Sequence, residues 1–213
     1  MGISRPSLRE AVADLKTRGL LDSRAGSGLY VSESLGSSFP PALIQLFATH
    51  SEAVFDYLHF RRDMEGLAGE RAARFGSDTD LQVIDTIFHK MEAAHPKRDP
   101  EIDAGLDAEF HLSIVEASHN VIMLHMMRSM YDLLREGVFY NRQAMFKQRT
   151  SRGALLEQHR KINDALQARA PAGARAAIET HLGYVETALL DQQKVDHNEA
   201  IARLRLKHAK ARG

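Results

Sequence analysis

The 213-residue chain contains no cysteine and no tryptophan. The absence of thiols excludes disulfides and thiolate metal sites and is compatible with a reducing compartment. Aromatic residues make up only 7%, so a core must come mainly from aliphatic side chains, methionine and alanine. No stretch approaches the roughly 18 apolar residues of a membrane span, so no membrane partner is expected. The region around Met1 also lacks the apolar run of a signal peptide, and a cytoplasmic protein is the default expectation. There is no net charge either: 28 basic residues balance 28 acidic ones, which removes any global nucleic-acid signature. The balance is uneven, however. Residues 1–31 carry Arg5, Arg9, Lys16, Arg18 and Arg24 against Glu10, Asp14 and Asp22, a net of +2 for this end.

Hydrophobic residues reach 44%, enough for a real core, and the abundant Ala, Leu, Glu, Arg, Gln and Met favour helix. Ser4 to Arg18 reads as a helix, with Ser4 as N-cap, Pro6 in the first turn and Gly19 just past the end. Leu20–Arg24 and Leu29–Val31 flank a Gly-rich turn and read as a β-hairpin. Residues 32–40 are linker-like. From there the pattern predicts helices over about 41–49, 52–74, 78–94, 99–118, 121–147, 151–169 and 172–193, broken at Gly, Pro, Asn and Ser positions. The resulting division is a helix-and-hairpin segment at 1–33, a linker and connecting helix at 34–50, a helical domain at 51–193 and a polar tail at 194–213. The basic residues of that tail read as a solvated, fraying helix.

Four residues carry the chemistry of the second half. Asp107 and His111 are four apart and share one helix face. His159 and His181 occupy comparable positions in two later amphipathic segments. Three imidazoles and one carboxylate on three helices can converge on one divalent cation. Zinc is the first choice for that set, with nickel, manganese and iron as alternatives. Met123, Met126, Met127 and Met130 sit at helical spacing and read as core or pocket wall, not as a copper site. His119 and His125 read as supporting or surface residues.

In the first 31 residues, Ile3-Ser4-Arg5-Pro6-Ser7-Leu8-Arg9-Glu10-Ala11-Val12 is followed by Leu15, Gly19-Leu20-Leu21 and Gly26-Ser27-Gly28-Leu29-Tyr30-Val31. This pattern resembles the recognition helix and wing of GntR-family transcription regulators. The resemblance implies that Arg5 and Arg9 contact DNA and that Gly26 stands at the wing tip, while the Ser4 and Ser7 hydroxyls are of a type that can add phosphate or base contacts. The strand and two helices that normally precede such a recognition helix are not in this sequence. Leu8, Val12 and Leu15 are therefore expected to lack their usual cover, and this chain to bind operator DNA weakly or not at all.

Further along, Arg61-Arg62-Asp63-Met64-Glu65, Asp107-Ala-Glu-Phe-His111, Glu116-Ala117-Ser118-His119-Asn120, Glu157-Gln-His159 and Ala177-Ile-Glu-Thr-His181 resemble the all-helical FCD domain of the FadR-type branch of that family. The resemblance spans about residues 52–190. It implies an all-α antiparallel bundle behind a partial winged helix, a metal held by Asp107, His111, His159 and His181, and a homodimer. It also implies a small carboxylate effector, a 2-hydroxy or 2-oxo acid, met by Arg61, Asn120 and Asn141. The stretches at Glu116–Asn120 and Asn141–Met145 look closest to lactate-, pyruvate- or glycolate-responsive members. For Arg61 an intrahelical pair with Glu65 at i,i+4 is the alternative.

The expected function is thus a ligand-responsive bacterial regulator whose operator binding shifts with a metal-bound organic acid. Two other readings stand beside it. One is a helical dimer with a structural metal and no sensing role. The other is a metal-dependent hydrolase. A hydrolase needs a placed general base, yet no HExxH motif is present, and Glu109 and Glu116 lie off the Asp107/His111 face. No enzyme activity is expected.

Overall fold

A computed structural model describes residues 4–24, 28–31, 45, 49, 52–135 and 149–211. Helix α1 spans Arg5–Thr17 and opens on Ser4, whose hydroxyl accepts from the Ser7 amide at 3.3 Å. It ends where Gly19 takes φ 68°, a left-handed conformation that glycine adopts without steric cost. Strands β1 (Leu21–Arg24) and β2 (Gly28–Val31) follow as an antiparallel hairpin, with Leu21 opposite Val31 and Ser23 opposite Leu29. No residue of α1 is buried, and Leu8 is 57% exposed.

The remaining described elements are helices: α2 Ala53–Phe75, α3 Asp78–Ala94, α4 Pro100–Ala117, α5 Val121–Arg135, α6 Arg149–Gln167 and α7 Pro171–Ala211. Their starts follow local chemistry. Ser77 and Asp80 form a capping box on α3, and the Asp99 carboxylate accepts from the Glu101 and Ile102 amides ahead of Pro100. Asn120 Oδ1 accepts from the Met123 amide at 3.1 Å and caps α5. Helix α2 lies along α7 in the most extensive helix pairing of the bundle. Gly69 permits that approach, because a β-carbon there would stand 2.3 Å from Ile178 Cδ1.

A main core and a smaller cluster of Leu58, Leu155 and Val185 hold the described bundle together, and the main core is built from aliphatic, aromatic and methionine side chains. Phe88, Phe110, Ile114, Met127, Ile162 and Leu182 are among its fully buried members. Met123 and Met127 belong to it, as their spacing predicted. The all-α bundle behind a partial wing agrees with the sequence reading. The end of the last helix does not. The helix predicted over about 172–193 is longer: α7 continues through the polar tail, which read as a solvated, fraying helix, to Ala211, about 60 Å in total. No proline or glycine interrupts it after Gly183. Exposed i,i+4 contacts such as Gln192–Asp196 and Arg203–Glu199 support the extension without a core. No described helix is long and apolar enough to cross a membrane.

Candidate metal centre

Three helices of the bundle deliver four buried donors to one point. Helix α4 presents Asp107 and His111 from successive turns, α6 presents His159 and α7 presents His181. One ligand atom from each lies within 4.8 Å of all the others, and every one of the four residues is buried. His159 Nε2 stands 3.2 Å from His111 Nε2 and 3.1 Å from Asp107 Oδ1. Two nitrogens bound to one tetrahedral ion at about 2.0–2.1 Å would be about 3.3 Å apart, so this spacing suits a shared ion. A tight cluster of three imidazoles and a carboxylate in the interior also has no apolar role to play.

The back side of the cluster fixes which nitrogens face inward. His111 Nδ1 lies 2.7 Å from Glu65 Oε2 on α2. A proton on that Nδ1 leaves the Nε2 lone pair turned to Asp107 and His159. His181 Nδ1 lies 2.9 Å from Gln158 Oε1, an arrangement that turns the other ring nitrogen of His181 toward the centre. Phe110 meets the rings of His111 and His159 edge-on and keeps their orientation.

Glu65 is itself held by a buried set of partners. Its Oε1 accepts from Arg61 Nε at 2.5 Å and from the Tyr131 hydroxyl at 2.7 Å, and Arg61 Nη2 donates to that hydroxyl at 3.2 Å. Burial by itself would push the Glu65 carboxyl up. The charge of Arg61 beside it, with the Arg61 hydrogen bond, outweighs burial and holds the carboxyl well below the usual carboxylate range. Burial pushes the Tyr131 phenol well up, against the opposing charge of Arg61, so it stays a donor. Arg61 is 1% exposed in this network. The i,i+4 pair with Glu65, one of the two roles open to Arg61 from sequence, is therefore present.

A small cavity of about 20 Å³ adjoins the cluster and has His159 in its wall. Arg152 Nε and Nη2 grip Asp103 Oδ2 there at 2.7 and 2.6 Å, and Nη2 also donates to the His95 carbonyl. Arg61 and Asn120 are not among the residues lining it. Asn141 and Gly26 lie outside the described residues. On α1, Arg5 and Arg9 are exposed, while the Ser4 and Ser7 hydroxyls hydrogen-bond each other at 2.8 Å. Glu109 faces Lys90 and Glu116 pairs with Arg128, so neither is placed as a base at the cluster. His119, expected in a supporting or surface role, is exposed and bound to Asp80.

Residues 56–184 match the FCD domain, a span that contains all four donors. The chain is 34% identical over 203 residues to a protein of Escherichia coli (strain K12) named as a regulator of the L-lactate dehydrogenase operon. That alignment covers 92% of this chain and 77% of the relative. The solved structure of a GntR protein of Streptococcus agalactiae superposes with a TM-score of 0.61 at 26% identity, covering 87% of this chain and 82% of that one. This chain belongs to the FadR-type, FCD-containing branch of the GntR-family transcription regulators.

The regulator is also 31% identical over 202 residues to the Glc operon transcriptional activator of the same Escherichia coli strain, covering 93% of this chain and 79% of the relative. Such proteins are transcription regulators and not enzymes. GntR-family regulators bind operator DNA and small-molecule effectors. What sequence reading missed is the support behind the ligands: Glu65 for His111, Gln158 for His181 and Tyr131 for Glu65. Gln158 stands beside a ligand in sequence yet serves a different one, and the Glu65–His111 contact crosses from α2 to α4.

Proposed function

We propose that this regulator senses a small 2-hydroxy or 2-oxo acid through a divalent metal held by Asp107, His111, His159 and His181. The observation that carries the reading is the convergence of four buried donors, with His111 and His181 oriented from behind by Glu65 and Gln158. The bound cation would supply Lewis-acid attraction for a carboxylate. Imidazole-rich donors favour zinc, and nickel, manganese or iron are compatible with the set. The names of the relatives, one tied to an L-lactate dehydrogenase operon and one to the Glc operon, support a small acid as the signal.

In this reading the α1 segment, with Arg5 and Arg9 on its surface and Ser4 and Ser7 at its leading end, is the DNA-facing part, and Gly26 is proposed as the tip of the wing. Arg61 acts on the site through Glu65, while Asn120 and Asn141 remain candidates for the effector side. A homodimer would match a palindromic operator by symmetry, and a cytoplasmic setting suits a DNA-directed switch.

A structural metal without sensing draws its support from the burial of all four donors. Elemental analysis of the purified regulator, combined with thermal shifts in L-lactate, pyruvate and glycolate, separates the two. The sensor reading expects about one metal per chain and an acid-dependent rise in melting temperature that chelation abolishes. A metal that stabilises the protein with no response to any acid leaves only the structural role. Metal-free protein with no acid response sinks both.

A further inference from the structure

The cavity beside His159 contains a cation that the metal cluster does not use. Arg152 is buried at the start of α6, and its partner Asp103 lies one turn before Asp107 on α4. One edge of the guanidinium, Nε and Nη2, closes on a single Asp103 oxygen and on the His95 carbonyl. The other edge, Nη1, has no partner among the described residues. Met91, Leu106 and Leu156 form the apolar wall of the same cavity. A desolvated guanidinium beside a metal-ligand histidine and a short apolar wall is what a small carboxylate requires. By contrast, Arg61, also buried, faces Glu65 and Tyr131 and contributes nothing to this cavity.

We infer that Arg152 is the residue that receives the effector's carboxylate, with Asp103 as a built-in competitor for the same guanidinium. This rests on the acid-sensing reading of the metal centre. At about 20 Å³ the cavity holds roughly one water, too little for an acid of three carbons while Asp103 stays in place. Entry of the acid exchanges one carboxylate for another on Arg152 and opens room where the Asp103 side chain lay. The exchange also releases α4 from α6 at one point, because the Arg152–Asp103 contact ties those two helices. Occupancy of the site is thereby coupled to a helix–helix contact. A buried ion pair adds little net stability over an uncharged equivalent, so a role in recognition gives a reason for its presence here.

Isothermal titration of the metal-loaded regulator with L-lactate, pyruvate and glycolate tests the assignment through effects of opposite sign. Asp103→Asn removes the competing charge and should tighten acid binding about three- to tenfold. The double variant Arg152→Gln with Asp103→Asn keeps a neutral hydrogen-bonding pair between α4 and α6 and should weaken binding by about tenfold or more, with metal content unchanged. A purely structural pair predicts instead that Asp103→Asn weakens binding or leaves it alone. That result, or an unchanged affinity in the double variant, overturns the role of Arg152 and leaves the sensor reading intact. Absence of binding to the metal-loaded wild type removes both.

Discussion

Arginine sits in opposite surroundings at the two ends of this regulator. On α1, Arg5 and Arg9 stand in solvent on a helix that buries none of its residues. In the bundle, Arg61 is 1% exposed and closed between Glu65 and Tyr131, and Arg152 is 8% exposed against Asp103. The solvated arginines are free to meet phosphate and cost the fold nothing. The buried ones are tolerated only because each has a carboxylate partner. The comparison also separates what holds each region. The first segment rests on a serine cap and a four-residue hairpin register, whereas the bundle folds around the groups that would bind its ligands. Substitutions in the bundle should therefore disturb stability and binding together, and those in α1 should leave stability alone.

Glu65→Ala is the most severe way to break the bundle side of that contrast. It leaves Arg61 buried without its carboxylate and removes the acceptor facing His111. Loss of one partner from a buried charged network costs roughly 3–5 kcal/mol, which urea unfolding of the variant should show. A loss below 1 kcal/mol would mean that water reaches Arg61.

Acid should erode the same interaction in wild type. The Glu65 carboxyl titrates lower in the folded chain than its unfolded value of about 4.3. As pH falls the unfolded chain takes up the proton first, so the stabilisation is full above that value and declines below it. Unfolding midpoints of wild type and Glu65→Gln, measured between about pH 6 and pH 3, should converge toward the acid end. A constant gap would show that Glu65 acts by shape and not by charge.

The outcome for individual residues shows which parts of this molecule were legible from sequence. Ser4, Gly19 and the two short runs flanking the Gly-rich turn defined α1 and the hairpin because caps and turns are local chemistry. Asp107 and His111 were legible because four residues make one helical turn, and His159 and His181 because each stood on the same kind of face. Glu65 was visible only as a neighbour of Arg61. Its second oxygen meets a residue on another helix, and no local pattern encodes that. The same holds for Arg152, whose partner Asp103 is 49 positions away. The full length of α7 was underestimated because a polar, uncovered tail reads as a helix that frays. A helical stretch without glycine or proline, as α7 is from Tyr184 to Ala211, and laced by i,i+4 contacts does not need a buried face to continue.

The smallest expected effect comes from making one substitution twice. Leu166 is fully buried in the core, and Leu166→Ala should cost about 2–5 kcal/mol through lost transfer energy and the cavity left behind. Leu8 carries the same side chain on α1 but is 57% exposed, and leucine and alanine are both good helix formers. Leu8→Ala should then change stability by no more than about 0.5 kcal/mol in the same urea titration. If it costs more than about 1 kcal/mol, the Leu8 stripe is covered in solution by something other than this fold. A second copy of the chain is the simplest cover, and repeating the titration across protein concentrations would reveal it. A dimer makes the unfolding midpoint rise with concentration in wild type, and Leu8→Ala would flatten that dependence.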